Sequence, residues 1–122
     1  MQDAEYTRLI ENVSSDFQGL NDLIVNPYSG LTPNQLRQYK SAAISAEATA
    51  EAMTLSDTYS KSRGLFVQGM NATITAVDTL DKAGKLSDSE GRVSTESVNV
   101  FFISSQNKID DAFALIGLNR KV

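Results

Sequence analysis

One stretch of the sequence has the spacing of a calcium-binding loop. When Thr79–Glu90 is aligned with an EF-hand loop, Gly84 falls at the sharp-turn position and Asp81 at a ligand position, while Glu90 takes the bidentate final position. Two ligands are missing, because the first position is a threonine and the fifth is Ala83. A glycine helix cap followed by a helix N-cap explains the same residues without a metal. Capping is therefore the favoured interpretation, and a calcium-responsive helical module is an alternative.

A second acidic group consists of Asp110 and Asp111, with Glu96 nearby in sequence. Paired carboxylates can act as general acid and base, but only in a cleft that shifts their pKa values. Adjacent residues on a helix do not face each other, so Asp110 and Asp111 are interpreted as a solvated helix face.

The chain contains no cysteine, histidine or tryptophan. This composition excludes a thiol nucleophile, an imidazole base, a disulfide and a zinc site of the usual kind. No phosphate-binding loop, nucleophile elbow or dinucleotide-binding fingerprint occurs either. We therefore predict a protein that is not an enzyme, with no cofactor, no metal site and no small-molecule substrate.

Three aromatic residues are candidates for contact with a partner protein. Tyr28 follows Pro27 in the clearest loop of the sequence, where its ring is available for an interface. Phe101, Phe102 and Ile103 point in three directions if this segment is helical, so at least one of them must face something beyond a two-sided packing. We predict that Tyr28, Phe101 and Phe102 contact a partner.

The helix pattern is clearest from Thr32 to Met53. Thr32, Pro33 and Gln35 form a helix start with a capping box. Spacings of three and four residues then place one stripe on one face: Leu36, Tyr39, Ala43, Ala46, Ala50 and Met53. Because the middle of this face is alanine, a second helix backbone can approach it closely. A second stripe beside it, which includes Ile44, suggests burial on two sides.

A first helix is predicted from about Asp3 to Val25, ending before the Pro27 loop. Its stripe consists of Tyr6, Ile10, Val13, Phe17, Leu20 and Ile24. Gly19 lies within it and indicates a close crossing.

The second helix has no strong breaker before Gly64. We favour a break or kink at about Ser60–Gly64, and one long helix through to Ala83 is the alternative. The next stripe consists of Phe66, Met70, Ile74 (or Thr73), Val77 and Leu80.

The last segment, Val93 to Leu118, fits a helix with Val98, Phe102 and Ile109 on one face. Its residues 98–103 also have the composition of a strand. A lone strand would have nothing to pair with, so helix is favoured. The predicted fold is one all-α domain over residues 1–122, an up-down bundle of three to four helices, for which an elongated shape is the alternative.

The net charge and the apolar pattern of the sequence restrict the kinds of partner that the protein can have. A formal net charge of -4 argues against nucleic acid as the primary ligand. No apolar run approaches the length of a membrane span, and the acidic N-terminus does not have the pattern of a secretory signal. We therefore expect a cytoplasmic or virion-associated protein whose partners are proteins.

Two functions fit this pattern. The first is a non-enzymatic structural or interaction protein that packs helix faces in a larger assembly by self-association, such as a phage or virion structural or accessory subunit. Its support is the absence of catalytic residues, the clean apolar stripes and a composition rich in Ser, Thr, Asn and Gln. The alternative is a small acidic inhibitor or immunity-type protein that blocks a basic surface of a partner.

Overall fold

The fold is all-α, as predicted. The computed structural model describes residues 1–87 and 91–118, and within these ranges it contains five α-helices and no named strand. The helices, in chain order, are α1 (Asp3–Asp16), α2 (Gly19–Val25), α3 (Pro33–Glu51), α4 (Asp57–Lys82) and α5 (Asn99–Leu115). A short 3₁₀ turn, Glu96–Val98, leads into α5. One isolated antiparallel bridge joins Leu31 to Val93.

The apolar stripes of the helices meet in one core. α5 packs mainly on α4, α4 also packs on α3, and α1 and α2 close the remaining sides. The largest side chains that are almost fully buried come from every helix: Tyr6, Ile10, Phe17, Leu20, Leu36, Phe66, Met70, Leu80, Phe102 and Ile109. On α4 the core position is Thr73 rather than Ile74, which is only partly buried.

The capping box predicted at the start of α3 and the glycine cap predicted at the end of α4 are both confirmed. The Gln35 N–H donates to Thr32 Oγ1 at 3.2 Å, and Gln35 Oε1 accepts from the Thr32 N–H at 3.0 Å, which completes the capping box of α3. At the end of α4, Gly84 has φ of +74°, and the Lys85 N–H donates to the Leu80 carbonyl oxygen at 2.9 Å. This is the glycine cap of a Schellman motif.

The first predicted helix is divided in two, so the helix count exceeds the predicted three to four. The chain makes a 3₁₀-type turn after Phe17, in which the Leu20 N–H donates to the Phe17 carbonyl oxygen three residues back. A Cβ at Gly19 would lie 2.7 Å from the Tyr39 hydroxyl, so the close crossing expected at Gly19 is present. The apolar stripe continues through the break, which is why periodicity alone did not reveal it.

The predicted break near Gly64 is wrong in position. Gly64 lies inside α4, and the chain leaves the helix at residues 52–56 instead, so the alternative of one long helix is also excluded. Side chains that are distant in sequence hold this break. The Asp3 carboxylate accepts from the Ser56 N–H at 3.0 Å and the Ser56 hydroxyl at 2.7 Å, and Arg63 donates to the Met53 carbonyl oxygen.

The last segment is helical from Asn99 to Leu115, as favoured over a strand, but the helix starts later than the predicted Val93 because Val93 forms the bridge to Leu31. Residues 99–103 lie in α5, and the Val98 and Phe102 side chains are fully buried. Gly117, with φ of +75°, lets the Leu118 N–H donate to the Phe113 carbonyl oxygen at 3.0 Å. This glycine therefore caps α5. The predicted burial of α3 on two sides is not found, since Ile44 is 48% exposed.

Candidate interaction surface

The aromatic pair at the start of α5 does not form the exposed surface that its sequence suggested. Phe102 is fully buried in the core, so its predicted contact with a partner is not available in this fold. Phe101 is half-buried and packs against the core. The side chains that reach solvent are Val100, at 66% exposure, and Ile103, at 38%. Val100 is two residues from Phe102 on a helix, which places it on the opposite face.

Two more exposed apolar side chains lie at the end of α2 and in the loop after it. Val25 is 87% exposed, and Tyr28 is 69% exposed. Tyr28 therefore lies where its predicted partner contact requires, and that contact stays a prediction. We call Val25, Tyr28, Val100 and Ile103 together the α2–α5 surface. Only Tyr28 was singled out from the sequence. The sequence offered one indication that Val100 is exposed: it is an apolar residue on the helix face opposite the apolar stripe.

Two hydrogen bonds hold the two segments of this surface together. The Thr95 N–H donates to the Pro27 carbonyl oxygen at 3.0 Å, next to Tyr28 in the chain. Asn99 Nδ2 donates to the Ile24 carbonyl oxygen in a long contact of 3.5 Å. Three of these residues directly precede members of the α2–α5 surface, and Thr95 lies in the segment before α5. The bonds therefore bring segments far apart in sequence to the same end of the bundle.

A glutamate adjoins the aromatic member of the surface. Tyr28 hydrogen bonds to the carboxylate of Glu96, and this bond and the negative charge of Glu96 raise the pKa of Tyr28. Glu96 therefore lies beside Tyr28 and is distant from Asp110 and Asp111, with which it was grouped in the sequence analysis. Asp110 and Asp111 lie about 20 Å further along α5, at 1.5 Å per residue. The structure does not assemble these three carboxylates into one site.

The protein also has a cleft between the end of α1 and α3, separate from the α2–α5 surface. It has a volume of about 340 Å³ and is lined by Asp16, Phe17, Leu31, Gln38, Tyr39 and Ala42, among others. Its aromatic wall is an edge-to-face pair, with the ring centroids of Phe17 and Tyr39 5.3 Å apart. We call this feature the α1–α3 cleft. Its volume is at the small end of the range for ligand sites.

The α1–α3 cleft has an excess of negative charge. Burial raises the pKa of Tyr39, and the negative charges of Asp16 and Asp22 raise it further. The last turn of α1 contains no basic residue, so the negative end of its helix dipole is not compensated there. Lys40 follows Tyr39 in the chain, but its ammonium group pairs with the carboxylate of Asp78 on α4.

Several polar side chains are buried in the core, and most of them are paired. Thr73 and Ser105 join α4 to α5 through hydroxyl oxygens 2.8 Å apart. Gln106 is the exception, because it is 4% exposed and neither polar atom of its amide has a hydrogen-bond partner among the described residues. Asn99, which is seven residues earlier and on the same face of α5, has an unpartnered buried Oδ1. Gln106 is not among the residues that line the cavity beside Phe17 and Tyr39.

Of the residues in the calcium-loop interpretation, Glu90 lies outside the described residues, whereas Asp81 and Gly84 are described. Gly84 forms the α4 cap described above, and Leu86 is buried at 2% exposure, as capping requires. Within residues 1–87 and 91–118 there is no cluster of three or more His, Cys, Asp or Glu side chains that could hold a metal ion.

Comparison with known proteins gives no family for this chain. No protein-family model matches the sequence, and no curated protein or solved structure is significantly similar to it. In the part of the chain that the structure describes, no helix is both long enough and apolar enough to cross a membrane.

Proposed function

We propose that this chain is a non-enzymatic interaction protein that associates with further copies of itself through exposed apolar helix surfaces. The observation that carries the proposal is the α2–α5 surface, where Val25 and Val100 are 87% and 66% exposed. Exposed apolar side chains grouped at one end of a small domain are typical of protein contact sites. Tyr28 supplies the kind of amphipathic aromatic anchor that is enriched in interfaces.

Within this class, we propose a structural or accessory subunit of a larger particle, of the phage or virion type. The support is compositional: the chain is rich in Ser, Thr, Asn and Gln and has no cysteine or histidine. Apolar area buried between copies would drive assembly.

The absence of cysteine permits a direct test of the proposed surface. Single substitutions Val25→Cys and Val100→Cys introduce the only thiol in the chain, so every disulfide formed under mild oxidation joins two copies. The matched control is Ile44→Cys, because Ile44 is also apolar and 48% exposed but lies on α3. Rapid dimer formation at positions 25 or 100, and slow formation at position 44, is expected. Equally slow cross-linking at all three positions would contradict the proposal.

A second candidate is an acidic inhibitor of a basic partner protein. The net charge of -4 and the negative charges of Asp16 and Asp22 near Tyr39 favour it. Such a protein would remain monomeric, and electrostatic steering would make its association fast and sensitive to salt. A monomeric mass in solution combined with salt-sensitive capture of one basic partner would support this candidate over self-association.

A further inference from the structure

The α1–α3 cleft has the features of a site for a particular chemical group. Its lining combines the aromatic wall, formed by the edge-to-face rings of Phe17 and Tyr39, with the apolar side chains of Leu31 and Ala42. Asp16 also lines the cleft, and it is exposed to solvent. An aromatic face beside a carboxylate is the combination that binds organic cations, since the ring quadrupole and the anion both attract positive charge.

The α1–α3 cleft is lined by no lysine or arginine among the described residues. The Lys40 ammonium group, next to Tyr39 in the chain, is paired with Asp78. The negative charges of Asp16 and Asp22 both raise the pKa of the Tyr39 hydroxyl, after the larger effect of its burial. The carbonyl end of α1 adds to this negative charge.

Gly19 keeps this arrangement in place. A Cβ at position 19 would lie 2.7 Å from the Tyr39 hydroxyl, so the bare backbone lets the phenol lie against the start of α2. The position of the Tyr39 ring is thus coupled to the break between α1 and α2, where Asp16 and Phe17 are located.

We propose that the α1–α3 cleft binds an ammonium or guanidinium group on a short apolar stem, with Asp16 as the ion-pair partner and the Tyr39 ring as the wall for the stem. Either a free organic amine or the side chain of a lysine or arginine in a peptide has this chemistry. The inference does not depend on self-association through the α2–α5 surface.

The test is a titration of the full ¹⁵N-labelled chain, followed by amide chemical shifts. The probes are n-butylammonium, the neutral control 1-butanol, and a capped Gly-Lys-Gly peptide. Saturable shifts confined to residues around Asp16, Tyr39 and Ala42, with butylammonium binding more tightly than butanol, are expected. Tighter binding of the peptide would identify a side chain as the source, and tighter binding of butylammonium would identify a free amine.

Two substitutions separate the site from general charge effects. Asp16→Asn should weaken butylammonium binding about threefold, the effect expected for loss of one exposed ion pair, whereas Asp81→Asn should leave it unchanged. Asp81 is exposed and lies near the end of α4. Equal affinity for butanol and butylammonium, an equal effect of both substitutions, or no localised shift at all would overturn the proposal. None of these results depends on the oligomeric state.

Discussion

The hydroxyl oxygens of Tyr6 and Ser62 lie 2.7 Å apart in the core, although the residues are 56 positions apart in the chain. The Ser62 hydroxyl also donates to the Ala112 carbonyl oxygen at 2.6 Å, so its single proton is used there. The Tyr6 hydroxyl is therefore the donor to Ser62. This chain of hydrogen bonds connects α1, α4 and α5. Burial raises the pKa of Tyr6 to about 12, which keeps the phenol protonated as this donor.

The direction of these two hydrogen bonds predicts that substitutions at Ser62 and Tyr6 lower the free energy of unfolding by different amounts. Ser62→Ala leaves the buried Tyr6 hydroxyl without a partner and should lower the free energy of unfolding by about 2 kcal/mol. Tyr6→Phe leaves Ser62 bonded to Ala112 and should cost about 1 kcal/mol. Urea unfolding of both variants and the double variant measures the difference. A larger loss for Tyr6→Phe than for Ser62→Ala would contradict this assignment.

The contact between Asp3 and Ser56 predicts a pH-dependent contribution to stability. The side-chain and backbone hydrogen bonds from Ser56 lower the pKa of Asp3 in the folded protein. A lowered folded pKa contributes stability above the unfolded pKa of about 3.9, and this is lost as pH falls through the folded value. Asp3→Asn should therefore lower the melting temperature at neutral pH, with the difference from the original protein disappearing in strong acid.

The control for this prediction is Glu11→Gln, which removes an exposed carboxylate on the same helix. Its melting temperature should remain close to that of the original protein at both pH values. A deficit of Asp3→Asn that stays constant down to strong acid would show that the Asp3 charge is not the cause.

The two glycines in the first half of α4 should respond in opposite ways. A Cβ at Gly64 would meet nothing within 4 Å, so Gly64→Ala should raise the free energy of unfolding by about 1 kcal/mol through helix propensity. At Gly69 a Cβ would lie 3.1 Å from the Ser105 carbonyl oxygen, because α5 crosses closely there. Gly69→Leu should therefore cost about 2 kcal/mol or more through overpacking.

These two variants also test the position of the helix break. If the chain left the helix at Gly64, alanine there would destabilise the protein or have no effect. Chemical denaturation of both variants against the original chain provides the measurement.

The unpartnered amide of Gln106 predicts a stabilising substitution. Burying an amide without hydrogen bonds is unfavourable, and methionine has a similar shape without the polar atoms. Gln106→Met should raise the free energy of unfolding by about 1 kcal/mol. The exposed Gln68 on α4 provides the control, and Gln68→Met should change stability by much less. A destabilised Gln106→Met protein would instead indicate that the amide is satisfied by a buried water molecule.

Local signals in the sequence were sufficient for most of the helices. The capping box at Thr32, the glycine cap at Gly84 and the apolar stripes involve residues close together in the chain, so periodicity and end chemistry revealed them. The break at residues 52–56 could not be found in this way. It depends on Asp3, about fifty residues earlier, and on Arg63, whose side chain turns back to the end of α3.

The candidate surface was predictable only in part. Tyr28 followed from its loop position, but choosing between Phe102 and Val100 required the direction in which α5 meets α4. The position of Val25 depends on how the end of α2 meets the start of α5, a contact between segments about 75 residues apart. The α1–α3 cleft similarly requires the break after α1, which no residue pattern marked.

The most direct test of the proposed function is the molar mass of the purified chain in solution, measured by light scattering after size separation at two concentrations. We expect a mass above the 13.2 kDa of one chain that increases with concentration. The double variant Val25→Ser and Val100→Ser should return the mass to that of one chain, while Ile44→Ser should not. A 13.2 kDa monomer at both concentrations for the original chain would contradict assembly through the α2–α5 surface.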